Sequence, residues 1–229
     1  MNRRTTTASR TACALALLAL WTAASFAAPV QRKAAPEKPK PAPARPRPAD
    51  PLRQRCLGSN PNAPILIEVF SDYQCPACRD FYLQTTRPLL AEYANTGKVC
   101  IVYYEFPLRN HPYARQAARY GEAAARLGPT KWIQVTDALY AFQSQWAADG
   151  KLEEVVAGAL SAKDMVQVRK WQTDPKLEAE IDRDIAQGTQ RGVRSTPTVF
   201  LTANGKTERV PPGVQYPILR RYLDSLLER

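Results

Sequence analysis

Histidine and paired cysteines are scarce in this chain. Its 229 residues include a single histidine, His111, and five cysteines, of which only Cys75 and Cys78 form a Cys-x-x-Cys pair. A structural zinc site takes four cysteine or histidine ligands, usually from two such pairs. Cys56 and Cys100 stand alone, and no second histidine exists to join His111. We therefore expect no metal site.

Long apolar runs are also missing, with one exception near the start of the chain. No charge occurs between Arg10 and Arg32, and this alanine-rich stretch follows a basic N-terminal region and passes through the small residues Ser25 and Ala27. Such a pattern predicts a secretory signal peptide over residues 1–27. An uncleaved membrane anchor is the alternative, because the stretch is barely long enough to cross about 30 Å of hydrocarbon. We expect a periplasmic or otherwise extracytoplasmic protein.

Large apolar side chains are nearly absent from residues 28–55, which hold eight of the 20 prolines. A segment of this composition cannot bury enough surface to fold, and it predicts an extended, disordered tether. Its eight basic and two acidic residues give it a charge of +6. Because it has no aromatic side chain for stacking on bases, we expect no nucleic-acid binding. Unspecific attraction to an anionic envelope surface is the alternative to a solvated spacer.

Net charge is almost absent from the rest of the chain. The formal charge of +11 includes +3 from residues 1–27 and +6 from residues 28–55, which leaves +2 for residues 56–229. We predict one globular domain over that range. It opens with a nearly continuous apolar run at residues 64–70, which is typical of a strand buried on both faces.

Helical spacing of apolar residues follows Cys78, with a kink or an interruption predicted at Arg87-Pro88. The segment KVCIVYYEF, residues 98–106, predicts a second buried strand, so the two strands and the helix form a parallel βαβ unit. About residues 111–190 then carry helical signals, which is far more than a simple crossover requires. We predict an inserted helical subdomain there.

The end of the chain returns to β-structure. Two short β-prone segments flank Asn204-Gly205, which is a strong signal for a β-hairpin. A final amphipathic helix closes the chain. Within the helical region, Ser161 and Asp174 are predicted N-caps, the latter followed by Pro175. The predicted fold class is α/β, in the order β-α-β, helical block, β-hairpin and α.

The cysteine pair lies between the first strand and the first helix. A permanent disulfide there would add little stability, because it closes a very short loop. A redox-active pair fits better, since Cys75 takes the N-cap position and Pro76 the first helical position. The N–H groups of Ala77 and Cys78 and the helix dipole lower the pKa of a thiol placed there. We predict an exposed, nucleophilic Cys75 and a shielded, resolving Cys78.

Three motifs resemble the DsbA-type branch of the thioredoxin superfamily: FSDYQCPAC at 70–78, FPL with HP at 106–112, and STPTVF at 195–200. The resemblance covers residues 60–229 and implies a thioredoxin fold with a helical insertion and thiol:disulfide oxidoreductase activity. It further implies that Pro197 is cis and faces the cysteine pair, with the Thr196 backbone available to a substrate chain. The best-known strong oxidants carry a histidine between the cysteines, whereas this chain has Ala77, so we expect a milder oxidant.

Glu68 is a carboxylate within the first apolar strand. An unpaired charge there is costly, so the group must be hydrogen-bonded, protonated or both. In the thioredoxin superfamily, an acid at a matching place on this strand handles the proton of the buried thiol. Glu68 is seven residues before Cys75, so this match requires one extra residue in the loop. A proton relay and a structurally paired carboxylate both remain open.

Two cysteines and the histidine have other expected roles. Oxidation of Cys56 and Cys100 to each other after export would leave no odd thiol, which favours a structural disulfide over two unpaired cysteines. His111 precedes a proline just after a strand, and we interpret it as a loop or helix-start residue.

The expected function is disulfide exchange with exported proteins through Cys75 and Cys78, most simply as a monomeric dithiol oxidase. Its partners would be reduced or misoxidised exported proteins and a membrane redox partner. No nucleotide, flavin or other cofactor is needed, because the cysteine pair itself carries two electrons. The alternatives are a disulfide reductase or isomerase, and a non-enzymatic binding module with the same fold.

Overall fold

A computed structural model describes residues 55–228 of the chain. The expected signal peptide at 1–27, its alternative as an anchor, and the expected tether apart from Arg55 lie outside the described residues. Within residues 55–228, no helix is both long and apolar enough to cross a membrane.

A four-stranded sheet in the order β2-β1-β3-β4 forms the centre of the domain. Strands β1 (Ile65–Ser71) and β2 (Val99–Glu105) are parallel, and both are buried at every residue, as their apolar runs predict. Strand β3 (Thr198–Ala203) runs antiparallel to β1, and β4 (Lys206–Arg209) forms the exposed edge. The sheet therefore combines the predicted βαβ unit with the predicted hairpin.

The hairpin turn has the backbone that its sequence requires. Asn204 and Gly205 have φ angles of 52° and 75°, which lie in the left-handed region favoured by asparagine and glycine. These two residues join β3 directly to β4. The Asn-Gly prediction is therefore confirmed.

The first helix is continuous but irregular. Helix α1 (Pro76–Phe81) is followed by a π-helical turn (Tyr82–Thr86), a short α2 (Arg87–Leu89) and a second π-helical turn (Leu90–Ala94). The helix continues through Arg87-Pro88, so the predicted interruption is wrong, while the alternative of a kink stays a prediction. The wider π turn before it accommodates the missing N–H and the ring of Pro88.

Six helices form the insertion between β2 and β3: α3 (Ala114–Leu127), α4 (Pro129–Ala141), α5 (Gln143–Asp149), α6 (Leu152–Ala159), α7 (Ala162–Trp171) and α8 (Pro175–Gln190). Ser161 caps α7 by accepting a hydrogen bond from the N–H of Asp164, and Asp174 caps α8 by accepting one from Lys176. Both predicted N-caps are confirmed. Helix α9 (Tyr216–Leu227) closes the domain.

The two faces of the sheet carry separate cores. Ile67 and its alternate neighbours on β1 point to the larger core, which includes Cys75 and Cys78 and which we call the site face. Phe70 and its alternate neighbours point to the smaller core, which we call the far face. On the far face α8 approaches closely at Gly188, where a Cβ atom would lie 2.7 Å from the ring of Phe106. A larger residue at Gly188 would therefore push the helix away.

Cys56 and Cys100 meet on the far face. Their sulfur atoms are bonded to each other, and their Cα atoms are 5.4 Å apart, within the range that a disulfide requires. Cys100 is completely buried in β2, so the bond fastens the start of the described chain to the sheet.

The disulfide between Cys56 and Cys100 predicts how many free thiols the denatured chain exposes. A Cys75→Ser/Cys78→Ser variant, purified after export and denatured without reductant, should expose no thiol from Cys56 or Cys100. Titration with a thiol reagent measures this, and the mass of the purified chain reports whether Cys13 remains and adds one thiol. Two thiols in a chain that lacks Cys13 would contradict the bridge.

Candidate active site

The turn between β1 and α1 places Cys75 at the head of the helix. Asp72 accepts a hydrogen bond from the N–H of Gln74 (2.7 Å) through its side chain, and its carbonyl accepts one from the N–H of Cys75 (3.1 Å). Such a turn is typical of aspartate. Cys75 is the N-cap residue with φ −77° and ψ 121°, and Pro76 is the first helical residue. The local sequence therefore builds the helix start that it predicts.

Both thiols are free, and their environments differ. Cys75 Sγ lies 3.5 Å from the carbonyl oxygen of Thr196, and Cys78 Sγ lies 3.4 Å from the main-chain nitrogen of Asp72. Cys75 is 8% exposed and Cys78 1%. Cys75 is thus the more accessible of the two thiols. The prediction that it is exposed is wrong, because the Thr196 loop lies against it and leaves it buried.

The environment separates the acidities of the two thiols. A hydrogen bond from the Cys78 thiol, helped by the N–H groups of Cys78 and Ala77 and by Thr196, lowers the pKa of Cys75 to about 5 against the opposing effect of burial. The Cys75 sulfur makes no regular capping hydrogen bond, so these amides act on it mainly through their dipoles. Burial, followed by the neighbouring Cys75 thiolate, raises the pKa of Cys78 well above its usual value. At neutral pH Cys75 is the thiolate of the pair.

The loop before β3 completes the site. The peptide bond between Thr196 and Pro197 is cis, as the resemblance implies. Because Thr198 pairs with Phe70 at the carboxyl end of β1, this loop lies beside the turn that holds Cys75. The hydroxyl of Thr198 donates a hydrogen bond to the carbonyl of Ser195 (2.7 Å) and so closes the loop across the proline.

Glu68 lies on the opposite face of the sheet from the thiols. Its carboxylate accepts two hydrogen bonds from Arg191, at 2.8 and 3.1 Å, and one from the hydroxyl of Tyr104 at 2.9 Å. The guanidinium of Arg191 also lies 3.9 Å from the ring centroid of Phe200. Side chains alternate between faces along a strand, so the offset of one residue turns Glu68 away from Cys78. This geometry favours the paired carboxylate over the proton relay.

A second group of buried acids lies where β2 meets α3 and α8. Glu105, Glu122 and Asp184 are each at most 6% exposed, and Arg55 pairs with the last two. Burial raises the pKa of Glu122 to about 7 and also raises the pKa of Glu105 and of Asp184. Sequence reasoning missed this cluster, because its members are far apart along the chain. Within residues 55–228, no group of acidic, histidine or cysteine side chains is arranged to hold a metal ion.

His111 has a definite structural partner. It lies in the loop between β2 and α3, and its Nδ1 is 2.7 Å from Oδ2 of Asp72, which also accepts a hydrogen bond from the N–H of Leu108 (2.9 Å). The side chain of Asp72 is fully buried. His111 is therefore a loop residue that helps to fix the turn before Cys75.

The helical insertion supplies the residue that sequence reasoning most clearly missed. Gln143, at the start of α5, donates hydrogen bonds from Nε2 to the carbonyls of Tyr73 (2.7 Å) and Cys75 (3.0 Å). It is 3% exposed. A single glutamine in an amphipathic helical segment carries no signal of such a role in the sequence, because its partners lie about 70 residues away.

The matching family model is described as thioredoxin and covers residues 53–211. A probable disulfide bond formation protein D from Bacillus cereus is 26% identical over 155 residues, which cover 66% of this chain and 71% of that protein. Among solved structures, alpha-DsbA1 of Wolbachia pipientis matches with a TM-score of 0.64 and 20% identity, over 76% of this chain and 90% of that one. BdbD of Bacillus subtilis matches with a TM-score of 0.61 and 18% identity, over 77% and 94%. The chain therefore belongs to the thioredoxin family. Its fold is that of DsbA-type thiol:disulfide oxidoreductases, and the relatives it matches are proteins of that type.

Proposed function

We propose that the protein is an exported dithiol oxidase. In its disulfide form, a thiolate of the substrate attacks Sγ of Cys75, the Cys75–Cys78 bond breaks, and Cys78 leaves and takes up a proton. A second substrate thiolate then attacks the substrate sulfur of the mixed disulfide and releases Cys75 as a thiolate. The substrate loses two electrons to the cysteine pair. Thr196 and Pro197, beside Cys75, contact the substrate chain in this proposal.

The main support for an oxidase is the lowered pKa of Cys75. A stabilised thiolate favours the reduced form of the pair, so the disulfide form accepts electrons readily. This effect is strongest above the folded pKa of about 5 and fades as the pH falls through it. The protein therefore acts as an oxidant at neutral pH.

The reduction potential tests the direction of exchange. Strong DsbA oxidants combine a thiol pKa of about 3.5 with a potential of about −120 mV, and about 30 mV corresponds to a tenfold change in equilibrium constant. A Cys75 pKa of about 5 is higher than that of the strong oxidants, so we expect the potential of this pair to lie below about −120 mV. Equilibration with glutathione buffers, followed by mass measurement of the trapped thiols, gives the value. A potential at or above that of the strong oxidants would contradict the milder character, and one far below glutathione would favour the reductase.

A matched variant tests why the pair is mild. Ala77 is exposed, so Ala77→His adds a ring between the cysteines without disturbing the core. We expect this variant to have a higher potential than the wild type, because the ring can donate a hydrogen bond or a positive charge to the thiolate. An unchanged reduction potential would show that the two residues between the cysteines do not determine it.

Export and partners complete the proposal. Reduced or misoxidised exported proteins are the substrates, a membrane protein reoxidises the pair, and the signal at residues 1–27 directs the chain across the membrane. The basic segment at residues 28–55 serves as a solvated spacer, and any attraction to anionic envelope surfaces is through unspecific charge alone. The binding-module alternative requires function to persist without Cys75, which the thiol chemistry of the site does not favour.

A further inference from the structure

The turn that precedes Cys75 is held by the helical insertion as well as by the sheet. The hydroxyl of Ser71 lies 3.0 Å from that of Tyr140, and the hydroxyl of Tyr73 lies 3.0 Å from that of Thr136. All four hydroxyl groups are buried. These contacts attach the last residue of β1 and the turn after it to α4.

Gln143 differs from these contacts because it binds the main chain. Both N–H groups of its side-chain amide are used, one on the carbonyl of Tyr73 and the other on that of Cys75. The two partners also fix the amide orientation, since a flipped amide would set its oxygen against two carbonyl oxygens. The side chain therefore has one favourable placement.

We propose that Gln143 is a positioning residue of the redox reaction, which holds the Cys75 carbonyl so that the Cys75 sulfur stays at the N-terminal end of α1. The carbonyl of Cys75 also accepts the first hydrogen bonds of the helix, from Cys78 (3.1 Å) and Arg79 (3.2 Å). Its orientation sets ψ of Cys75, which is 121° and extended. Rotation about ψ would move the sulfur relative to the amides of Ala77 and Cys78.

The insertion therefore acts on the reaction through the main chain of the nucleophile. The donating amide also places the positive end of its dipole beside Cys75. Loss of this amide weakens the stabilisation of the thiolate in two ways, by releasing the carbonyl and by removing the dipole. This inference rests on the proposed role of Cys75 as the nucleophile.

The test compares Gln143→Met and Gln143→Glu with the wild type. Methionine keeps the volume of glutamine and removes both donors, whereas glutamate keeps the shape and sets oxygens against the two carbonyls. The rate of Cys75 alkylation by iodoacetamide is measured against pH by peptide mass spectrometry. We expect the midpoint to rise from about 5 in the wild type by about one pKa unit in the methionine variant, and by more in the glutamate variant.

The glutathione equilibrium provides a second readout. A rise of one pKa unit should shift it up to about tenfold toward the disulfide form, or about 30 mV. Thr136→Val is the matched control, because it removes a buried contact between α4 and the turn without touching the Cys75 carbonyl. This control should unfold at a lower temperature and keep the pH profile of the wild type.

The outcomes separate the positioning role from a structural one. A Gln143→Met profile that coincides with the wild type, or an equal shift in Thr136→Val, would overturn the inference. If Gln143→Met does not fold, Gln143→Leu, which also removes both donors and adds no charge, decides by the same criterion. A wild-type midpoint at the ordinary thiol value of about 8.5 would instead overturn the proposed function.

Discussion

Replacement of Cys75 by serine should abolish disulfide exchange. A serine hydroxyl forms no disulfide, so the variant has neither the Cys75–Cys78 bond that the substrate thiolate attacks nor the mixed disulfide that follows. The assay is oxidation of a reduced, unfolded protein by the disulfide form of the enzyme, followed by the recovery of the folded substrate. We expect the variant to match the uncatalysed rate, and persistent catalysis would contradict the assignment of Cys75 as the nucleophile.

Cys78→Ser should also abolish oxidation, because no Cys75–Cys78 disulfide can form, but it should trap partners in the reverse direction of exchange. Cys75 keeps its place at the head of α1, so it still reacts with a disulfide, but no second thiol is present to release the partner. The variant should therefore accumulate a covalent complex that is visible on a non-reducing gel and disappears with reductant. The shielded position of Cys78, 1% exposed, supports this division of labour.

Cys56→Ser/Cys100→Ser is the control for both variants. These cysteines lie on the far face, away from the reactive thiols, so the double variant should lose stability but keep the exchange activity at a temperature where it is folded. Equal loss of activity in this control would show that the far-face cysteines take part in the chemistry. Trapping by Cys78→Ser should not depend on them.

The second large effect is expected from the ion pair on the far face. Arg191→Met leaves the buried carboxylate of Glu68 without its charged partner. Because the Arg191 side chain is 25% exposed, we expect a cost toward the lower end of the about 3 to 5 kcal/mol that loss of one member of a buried pair brings. For a domain of this size that corresponds to a fall in melting temperature of roughly 10 °C. Chemical denaturation measures the change in the free energy of unfolding. A cost below about 1 kcal/mol would place the pair among ordinary surface contacts.

The same pair decides between the two roles of Glu68. Glu68→Gln should lower stability but leave the reduction potential and the pH profile of Cys75 unchanged, because the side chain lies across the sheet from the thiols. A shift in either redox quantity would favour the proton relay. Glu68→Met/Arg191→Met should recover part of the stability lost in Arg191→Met, since no unpaired charge remains.

Local signals explain what the sequence predicts well. The apolar runs give β1 and β2, Asn204-Gly205 gives the hairpin, and Ser161 and Asp174 give two helix starts, because each depends on neighbouring residues alone. The helix start at Cys75 belongs to the same class. These features fix the fold class and the place of the reactive thiol.

Long-range pairing explains what the sequence does not predict. Arg191 is 123 residues from Glu68, and Gln143 is 68 from Cys75, so neither partner can be identified from spacing. The role of Glu68 depends on which face it occupies, and a shift of one residue reverses that face. The exposure of Cys75 depends in turn on the Thr196 loop, which reaches it from the other end of the chain.

The spread of the site along the chain has a consequence for the timing of activity. The turn before Cys75, Gln143 in the insertion and the Thr196 loop come together only when the whole domain has folded. In the unfolded chain Cys75 has an ordinary thiol pKa of about 8.5, so only a few per cent is thiolate at neutral pH. The newly synthesised chain thus carries a nearly inert cysteine pair, which becomes reactive only when folding of the domain is complete.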